Sequence, residues 1–466
     1  MTFALDLAKR ITALRYEHLP PEAVHWAKVG ILDTIGVTLA GSNDPSATIV
    51  AQTLASGSTG RSLVYGTNKR VGPLDAALVN GTASHALDFD DCNNTLGGHP
   101  SAPILPALFA LADDIGGSGR DFITAYVAGF ETECKLSLGV NFYQYTRGWH
   151  PSSTIGVFGA AAACAHLLHL DDEQTATALA IAASLAAGVK SNFGTMVKPL
   201  HIGHCCRSGL FAALLAKNGY SASPVAFEHK QGYFEVFNGA GNYDAAKILP
   251  AWANPLDIVA PGIAIKQYPC CGSTHPAIDA MLKLARKHDL KPDAVERVDS
   301  WTHARRLEHT NRPDPQSTKD AKFSVQYCLA RALIDRKVVV DDFEGEAFRD
   351  ARAREVMARI HVAPYTTAQF PAENHFGAEI KVTLRGGSTL SAKVDRPDGR
   401  TSANPLSAER LKEKFDNCAA RVLPSERLAP LYAAIQGFEQ LADARAISNA
   451  LGGAPSGARA GTPVKA

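Results

Sequence analysis

Apolar residues recur at every third and fourth position from residue 3 to about 260, and the breaks between runs are Pro, Gly and Asp-Asp rather than hairpin turns. That pattern predicts a helical first half. Leu19-Pro20-Pro21-Glu22 opens a helix with proline in its first turn, and apolar residues line one side of Ala23 to Ala40 until Gly41 ends it. Ser101-Ala102-Pro103 opens another, running through Leu105, Leu108, Phe109 and Leu111. The runs Phe158 to Leu170 and Thr175 to Ala187 are rich in alanine, whose small side chain lets helix axes approach closely. They are read as helices inside a bundle.

Near Pro261 the texture changes. Val295 to His303, Ile360 to Tyr365, Ala378 to Leu384 and Thr389 to Val394 alternate and are rich in β-branched residues, with Gly386-Gly387 turning between the last two. Helical segments Pro276 to His288 and Asp320 to Asp335 lie among these strands, so the region reads as α+β. From Ser407 helical spacing returns in Leu411 to Val422 and Leu428 to Leu451. The expected fold is mainly α with a smaller α+β domain: residues 1–261 and 397–451 form an all-helical domain, 262–396 the α+β domain, and 452–466 a disordered tail.

Composition narrows the partners. The chain has 466 residues with 47 Lys plus Arg against 46 Asp plus Glu, a formal charge of +1, so no global field draws it to nucleic acid or an anionic membrane. Any bound anion must be held by a local cluster of cations. The nine cysteines show no C-x-x-C spacing, and the vicinal pairs Cys205-Cys206 and Cys270-Cys271 are poor disulfide partners, which points to reduced thiols. Asp6, Lys9 and Arg10 interrupt what would be a signal core, and the apolar stretch Ile155 to Leu170 is shorter than a bilayer span. A cytoplasmic protein is expected.

Four segments concentrate titratable residues in otherwise apolar chain. His85 to Thr95 carries Asp88, Asp90 and Asp91, whose mutual repulsion requires a loop or helix end, and His99-Pro100-Ser101 follows. A solvated acidic turn, a functional site and a metal site all remain open for it, although the spacing matches neither an EF-hand nor H-E-x-x-H. Gly148-Trp149-His150-Pro151 precedes an alanine helix, where a lone histidine is more often a cap or core residue. Lys198, His201, His204 and Arg207 share one face if helical, and cations beside a buried helix imply an anionic partner. Lys266 to His275 lies where the helical domain gives way to the α+β one.

In order, HALDFDD, HPSAPILPALFALAD, GWHPSSTIGVFGAAAA, KPLHIGH with RSGLFAALLA, KQYPCCGSTHPAIDA, AKFSVQYCLARAL and NPLS with KEKF resemble the MmgE/PrpD family, collinearly over roughly residues 5 to 440. Its members include 2-methylcitrate dehydratase, cis-aconitate decarboxylase and iminodisuccinate epimerase. The resemblance implies a homodimer with a large helical domain, an α+β lid, an active site in the cleft between them, and no metal or organic cofactor. It also implies site roles for Asp88, His99, His150, Lys198, Lys266 and Tyr327. The decarboxylases resemble one another in having Thr and His where this chain has Cys92 and Cys271, and the step from Asp88 to His99 is one residue longer than the family pattern.

The family's reactions build negative charge beside a carboxylate of an already anionic substrate, which positioned cations stabilise. His150 and His99 are therefore expected as the acid/base pair, Asp88 as the residue orienting one of them, and Lys198 as a carboxylate holder, with Lys266, Cys92, His201, Cys271 and Tyr327 contacting substrate. The expected activity is a cofactor-independent dehydration of a 2-methylcitrate-like polycarboxylate. Epimerisation of an iminodisuccinate-like substrate, decarboxylation of a cis-aconitate-like acid and a non-catalytic binding role on the same fold are the alternatives.

Overall fold

The computed structural model describes residues 2–54, 58–140 and 142–452, so the expected disordered tail lies, Gly452 apart, outside the described residues. The chain is mainly helical with a small sheet and divides into two compact units, Met1–Ile265 with Thr401–Ala466, and Lys266–Arg400.

The first unit is a helical bundle around one apolar core. Its central helix, Pro21–Gly41, starts with proline at its first position and is buried on every side from Val29 to Gly41 rather than along one stripe. The reason is that helices Pro73–Ala86, Ser101–Ile115, Gly119–Val140 and Ala408–Ala419 all pack on it. The alanine-rich helix Gly156–Leu167 is buried throughout from Gly156 to Ala165. Small residues set the closest approaches. A Cβ added at Gly203 would lie 2.2 Å from Thr82 Oγ1 and 2.3 Å from the Leu78 carbonyl oxygen, so the Val197–Lys217 helix lies against Pro73–Ala86 with no room for a side chain. That contact brings the N-terminal turns of the first helix over the C-terminal end of the second.

A short hairpin, β1 (Ser62–Leu63) with β2 (Arg70–Val71), is an addition the periodicity does not reveal, since two residues per strand are too few to show alternation. Asn80 fixes it, donating to the Leu63 carbonyl at 2.8 Å and accepting from Tyr65 N at 3.0 Å. The expected Leu428 to Leu451 helix is divided into Ser425–Gln436 and Arg445–Leu451, the first ending at Gly437.

The second unit holds a four-stranded sheet in the order β4-β3-β5-β6, comprising β3 (Val295–Thr302), β4 (Ile360–Pro364), β5 (Ala378–Leu384) and β6 (Thr389–Val394). β3 runs parallel to β4 and antiparallel to β5, with Val298 opposite both Ile360 and Val382. Ala378, Ile380 and Val382 point inward at every second position, and helices His275–Lys287 and Val325–Asp335 complete this second core. The expected helix from Asp320 to Asp335 is broken: Ser324 adopts extended backbone and its hydroxyl caps the Tyr327 amide at 3.0 Å, starting a new helix. Among the described residues no helix is long and apolar enough to cross a membrane.

Candidate active site

The site is built at the C-terminal end of the Pro73–Ala86 helix. His85 stands on its last turn, and Asp88 follows in left-handed backbone with φ 53°, a conformation that short polar residues tolerate. The turn throws the Asp88 carboxylate toward the neighbouring helix, where Lys198 Nζ donates to Oδ1 at 3.0 Å. His99 Nε2 lies 3.5 Å from the same oxygen. The next residues turn inward: Asp90 and Asp91 are 0% exposed, so the D-F-D-D run is a buried structural element and not a solvated acidic turn. Lys414, in the K-E-K-F run, braces it from beneath, pairing with Asp33 at 2.5 Å and donating to the Phe89 carbonyl at 2.8 Å.

Asp90 sits between two imidazoles. His85 Nδ1 contacts its oxygens at 2.9 and 3.0 Å, and His99 Nδ1 lies 3.0 Å from Oδ2, with Cys92 Sγ 3.8 Å from the same ring nitrogen. Asp91 serves the fold, accepting from Ser101 N at 3.2 Å and from the Ser101 hydroxyl, which also meets Tyr126. Its carboxylate thus fixes the start of the helix that follows His99. The residues between absorb the longer Asp88 to His99 step in a closed turn, with Asn93 N donating to Gly98 O at 2.9 Å and Asn93 Oδ1 accepting from Leu96 N at 2.8 Å. Ser152 Oγ accepts from His99 N at 2.9 Å.

His150 and His201 form the opposite side. Their Nδ1 atoms are 3.2 Å apart, so one ring donates and the other accepts. His150 N donates to Gly188 O, and Ser153 Oγ donates to the His201 carbonyl, each at 3.0 Å. The His85 ring lies 5.7 Å from that of His150 and 4.6 Å from that of His99, which ties the two sides together. Phe193 closes one edge, its centroid 4.8 Å from His150 and 5.5 Å from Lys198 Nζ.

The two sides differ in protonation. Burial alone would neutralise His99, but the carboxylate of Asp90 and the sulfur of Cys92 override it and raise its pKa to about 10. Asp90 is in turn held well below the usual carboxylate range: burial opposes its charge, and His85 and His99 outweigh that. His85 goes the other way, lowered to about 4, because burial outweighs Asp90 and Lys198 and His99 add repulsion. Burial, then His85, Lys198, His201 and His99, keeps His150 well below the ordinary imidazole value, and burial with His204 and Lys198 lowers His201. The structure therefore presents an imidazolium and an ammonium on Asp88, facing neutral imidazoles.

Of the expected residues, Asp88, Cys92, His99, His150, Lys198 and His201 come together in the first unit. Sequence reasoning passed over His85, Asp90, Ser152, Phe193 and Lys414 as site components; the H-A-L-D-F-D-D and K-E-K-F motifs contained three of them. Lys266 and Cys271 belong to the second unit. Lys266 is 9% exposed and follows by two residues Ala264, whose amide donates to Cys92 O at 2.7 Å. Tyr327 is a core residue of that unit: it is 0% exposed and its hydroxyl donates to the Asp342 carbonyl at 2.5 Å. Donor atoms of His85, Asp88, Asp90 and His99 lie within 4.8 Å of one another, as in sites that gather a cation. Here the same atoms are committed to one another and to Lys198, so a cation would have to displace both Lys198 and the extra proton of His99.

Comparison with known proteins identifies the family. The MmgE/PrpD N-terminal domain matches residues 5–246 and the MmgE/PrpD C-terminal domain matches residues 268–434. Cis-aconitate decarboxylase of Homo sapiens is 31% identical over 462 residues, covering 96% of this chain and 94% of its own. Cis-aconitate decarboxylase of Aspergillus terreus is 27% identical with 92% of each chain covered. The mitochondrial 2-methylcitrate dehydratase of Yarrowia lipolytica is 23% identical over 420 residues, covering 84% and 79%. With both domains matched in order across most of its length, this chain belongs to the MmgE/PrpD family.

Proposed function

We propose that this chain is a lyase for a small polycarboxylate and that it decarboxylates a cis-aconitate-like acid. The carrying observation is the pairing of a charged His99, held by Asp90, with Lys198 on a single carboxylate, Asp88. An arriving substrate carboxylate competes with Asp88 for both cations. When the bond to the departing carboxylate breaks, its electron pair passes into the adjacent unsaturated carboxylate, where Lys198 stabilises the growing charge. His99 Nε2 then gives its proton to carbon, so a trianion and one proton become a dianion and carbon dioxide, and solvent reprotonates the ring. The neutral His150 and His201 supply hydrogen bonds without adding charge.

The greater similarity to decarboxylases supports this order of preference over the dehydration expected from the motifs. Dehydration of a 2-methylcitrate-like hydroxy acid is the second reading, favoured by Cys92 standing beside His99 where the decarboxylases resemble one another in threonine. It would use His150 as the base and His99 as the acid toward the leaving hydroxyl.

The test is incubation with cis-aconitate, 2-methylcitrate, citrate and iminodisuccinate in turn, following carbon dioxide, ultraviolet absorbance and optical rotation. Carbon dioxide from cis-aconitate, undiminished by a chelator, is the expected result. A new double bond from 2-methylcitrate without carbon dioxide would replace decarboxylation by dehydration, altered rotation of iminodisuccinate would indicate epimerisation, and inertness toward all four would leave only a binding role.

A further inference from the structure

The second unit contains a guanidinium that no carboxylate among the described residues neutralises. Arg297, Arg312, Arg331, Arg354 and Arg359 each face a carboxylate of this unit, and the first of them does so at the surface. Arg306, on the short helix Ala304–Thr310, makes no ion pair among the described residues. Its Nε donates to the His375 carbonyl and its Nη1 to the Ser273 hydroxyl at 3.1 Å. Of the five N–H groups of a guanidinium, this leaves one on Nη1 and both on Nη2, the edge that grips a carboxylate through two parallel hydrogen bonds.

The surroundings favour an anion there. His309, one turn from Arg306 on the same helix face, places Nε2 3.1 Å from the same Ser273 oxygen. The guanidinium carbons of Arg306, Arg400 and Arg396 lie 4.6, 4.8 and 5.9 Å from the centroid of Phe376. Burial, followed by repulsion from Arg400, lowers the Arg306 pKa to about 10; Arg305 adds to this, and the opposing groups are the Cys271 thiol and the Tyr365 phenol rather than carboxylates. A partly buried cation among like charges costs free energy unless an anion joins it.

We infer that the second unit carries a carboxylate-binding site of its own, in which Arg306, with Ser273 and His309 beside it, holds one carboxylate of a small polycarboxylate. The choice of a polycarboxylate rests on the function proposed above; the need for an anion rests on the arginine alone. Ser273 and Cys271 belong to the K-Q-Y-P-C-C-G-S-T-H segment, so the polar residues of that motif and the arginine helix form one recognition surface.

The test is calorimetric titration of the full chain with tricarballylate, a tricarboxylate without a hydroxyl or a double bond, and separately with inorganic phosphate. Losing a charge-assisted hydrogen-bonded pair weakens binding by at least about tenfold. R306A and R306Q are expected to show that loss for tricarballylate, R306K a smaller one, and R297A none, all with cooperative melting transitions. Tricarballylate affinity within about twofold of wild type in R306A and R306Q, no tricarballylate binding by the wild-type chain, or an Arg306-dependent site for phosphate alone would each overturn the inference. The two readings fail separately. Turnover of cis-aconitate with unchanged KM in R306A would sink this site and keep the lyase, whereas Arg306-dependent binding without turnover would do the reverse.

Discussion

Two corners of the first unit hold histidines shielded from solvent, one charged and the other neutral. At one, His99 leans on Asp90 and is raised to about 10; at the other, His150 leans on His201 and is held well below the ordinary value by burial and by His85, Lys198, His201 and His99. Burial penalises both imidazolium forms, so the neighbour decides: a buried carboxylate outweighs desolvation, and another imidazole adds to it. Environments that push pKa values apart in this way assign the acid and the acceptor within a single pocket. The comparison also explains why Asp90 is buried. A solvated carboxylate would stabilise His99 far less.

The largest effect comes from removing either cation on Asp88. His99→Ala and Lys198→Ala are expected to lower kcat by about a hundredfold or more while melting normally, as measured by steady-state kinetics on the substrate the panel identifies. Unchanged turnover in both would erase the site. Next is the residue that creates the difference. Asp90→Asn keeps the shape and one acceptor oxygen but removes the charge, so kcat is expected to fall by about tenfold to a hundredfold. Its alkaline limb should also move to lower pH, because His99 then loses its proton more easily; a profile with the wild-type limb would separate Asp90 from the protonation of His99.

A smaller effect follows from the helix contact that carries Lys198 and His201 to the site. In Gly203→Ala the new methyl meets Thr82 and the Leu78 backbone, and overpacking of this kind costs about 1–3 kcal/mol, read as a lowered thermal midpoint together with reduced kcat. A wild-type midpoint would mean that the helices separate freely and do not fix the site.

The smallest effect is on stability against pH, and it divides the two imidazoles that flank Asp90 by sign. The pKa of His99 is raised from 6.5 to about 10, so its contribution is full below the unfolded value and is lost as pH rises from there through 10. For His85, lowered from 6.5 to about 4, the contribution is present above 6.5 and is lost as pH falls toward 4. Thermal midpoints across this range should decline at both ends, with the alkaline decline reduced in Asp90→Asn and the acid decline reduced in His85→Gln. Identical limbs in wild type and variants would detach both histidines from stability.

Much of this was visible in the chain itself. Proline-initiated helices, alanine runs and the four alternating strands fixed the mainly helical class with its smaller sheet, because those signals are local. The sheet strands Val295–Thr302 and Ala378–Leu384 carry enough residues to show period two; Ser62–Leu63 does not. The motifs identified Asp88, Cys92, His99, His150, Lys198 and His201, all of which the fold gathers. What they left out was the supporting shell. His85 and Asp90 occupy the same motif as Asp88, yet only the turn at Asp88 determines which carboxylate faces the pocket and which faces the imidazoles. Lys414 reaches Phe89 across 325 residues, and no local pattern encodes that distance. The Arg306 site was missed for a related reason, since an unpaired arginine is recognised only after every carboxylate has been placed.

The central claim is that one buried histidine is charged and its neighbour is not. Imidazole nitrogen chemical shifts, measured by long-range proton–nitrogen correlation from pH 5.5 to 9 and assigned with His99→Asn and His150→Asn, test it directly. The account predicts a doubly protonated His99 ring at pH 8 and a neutral His150 ring at pH 6. Two rings titrating together near the ordinary imidazole value would contradict it.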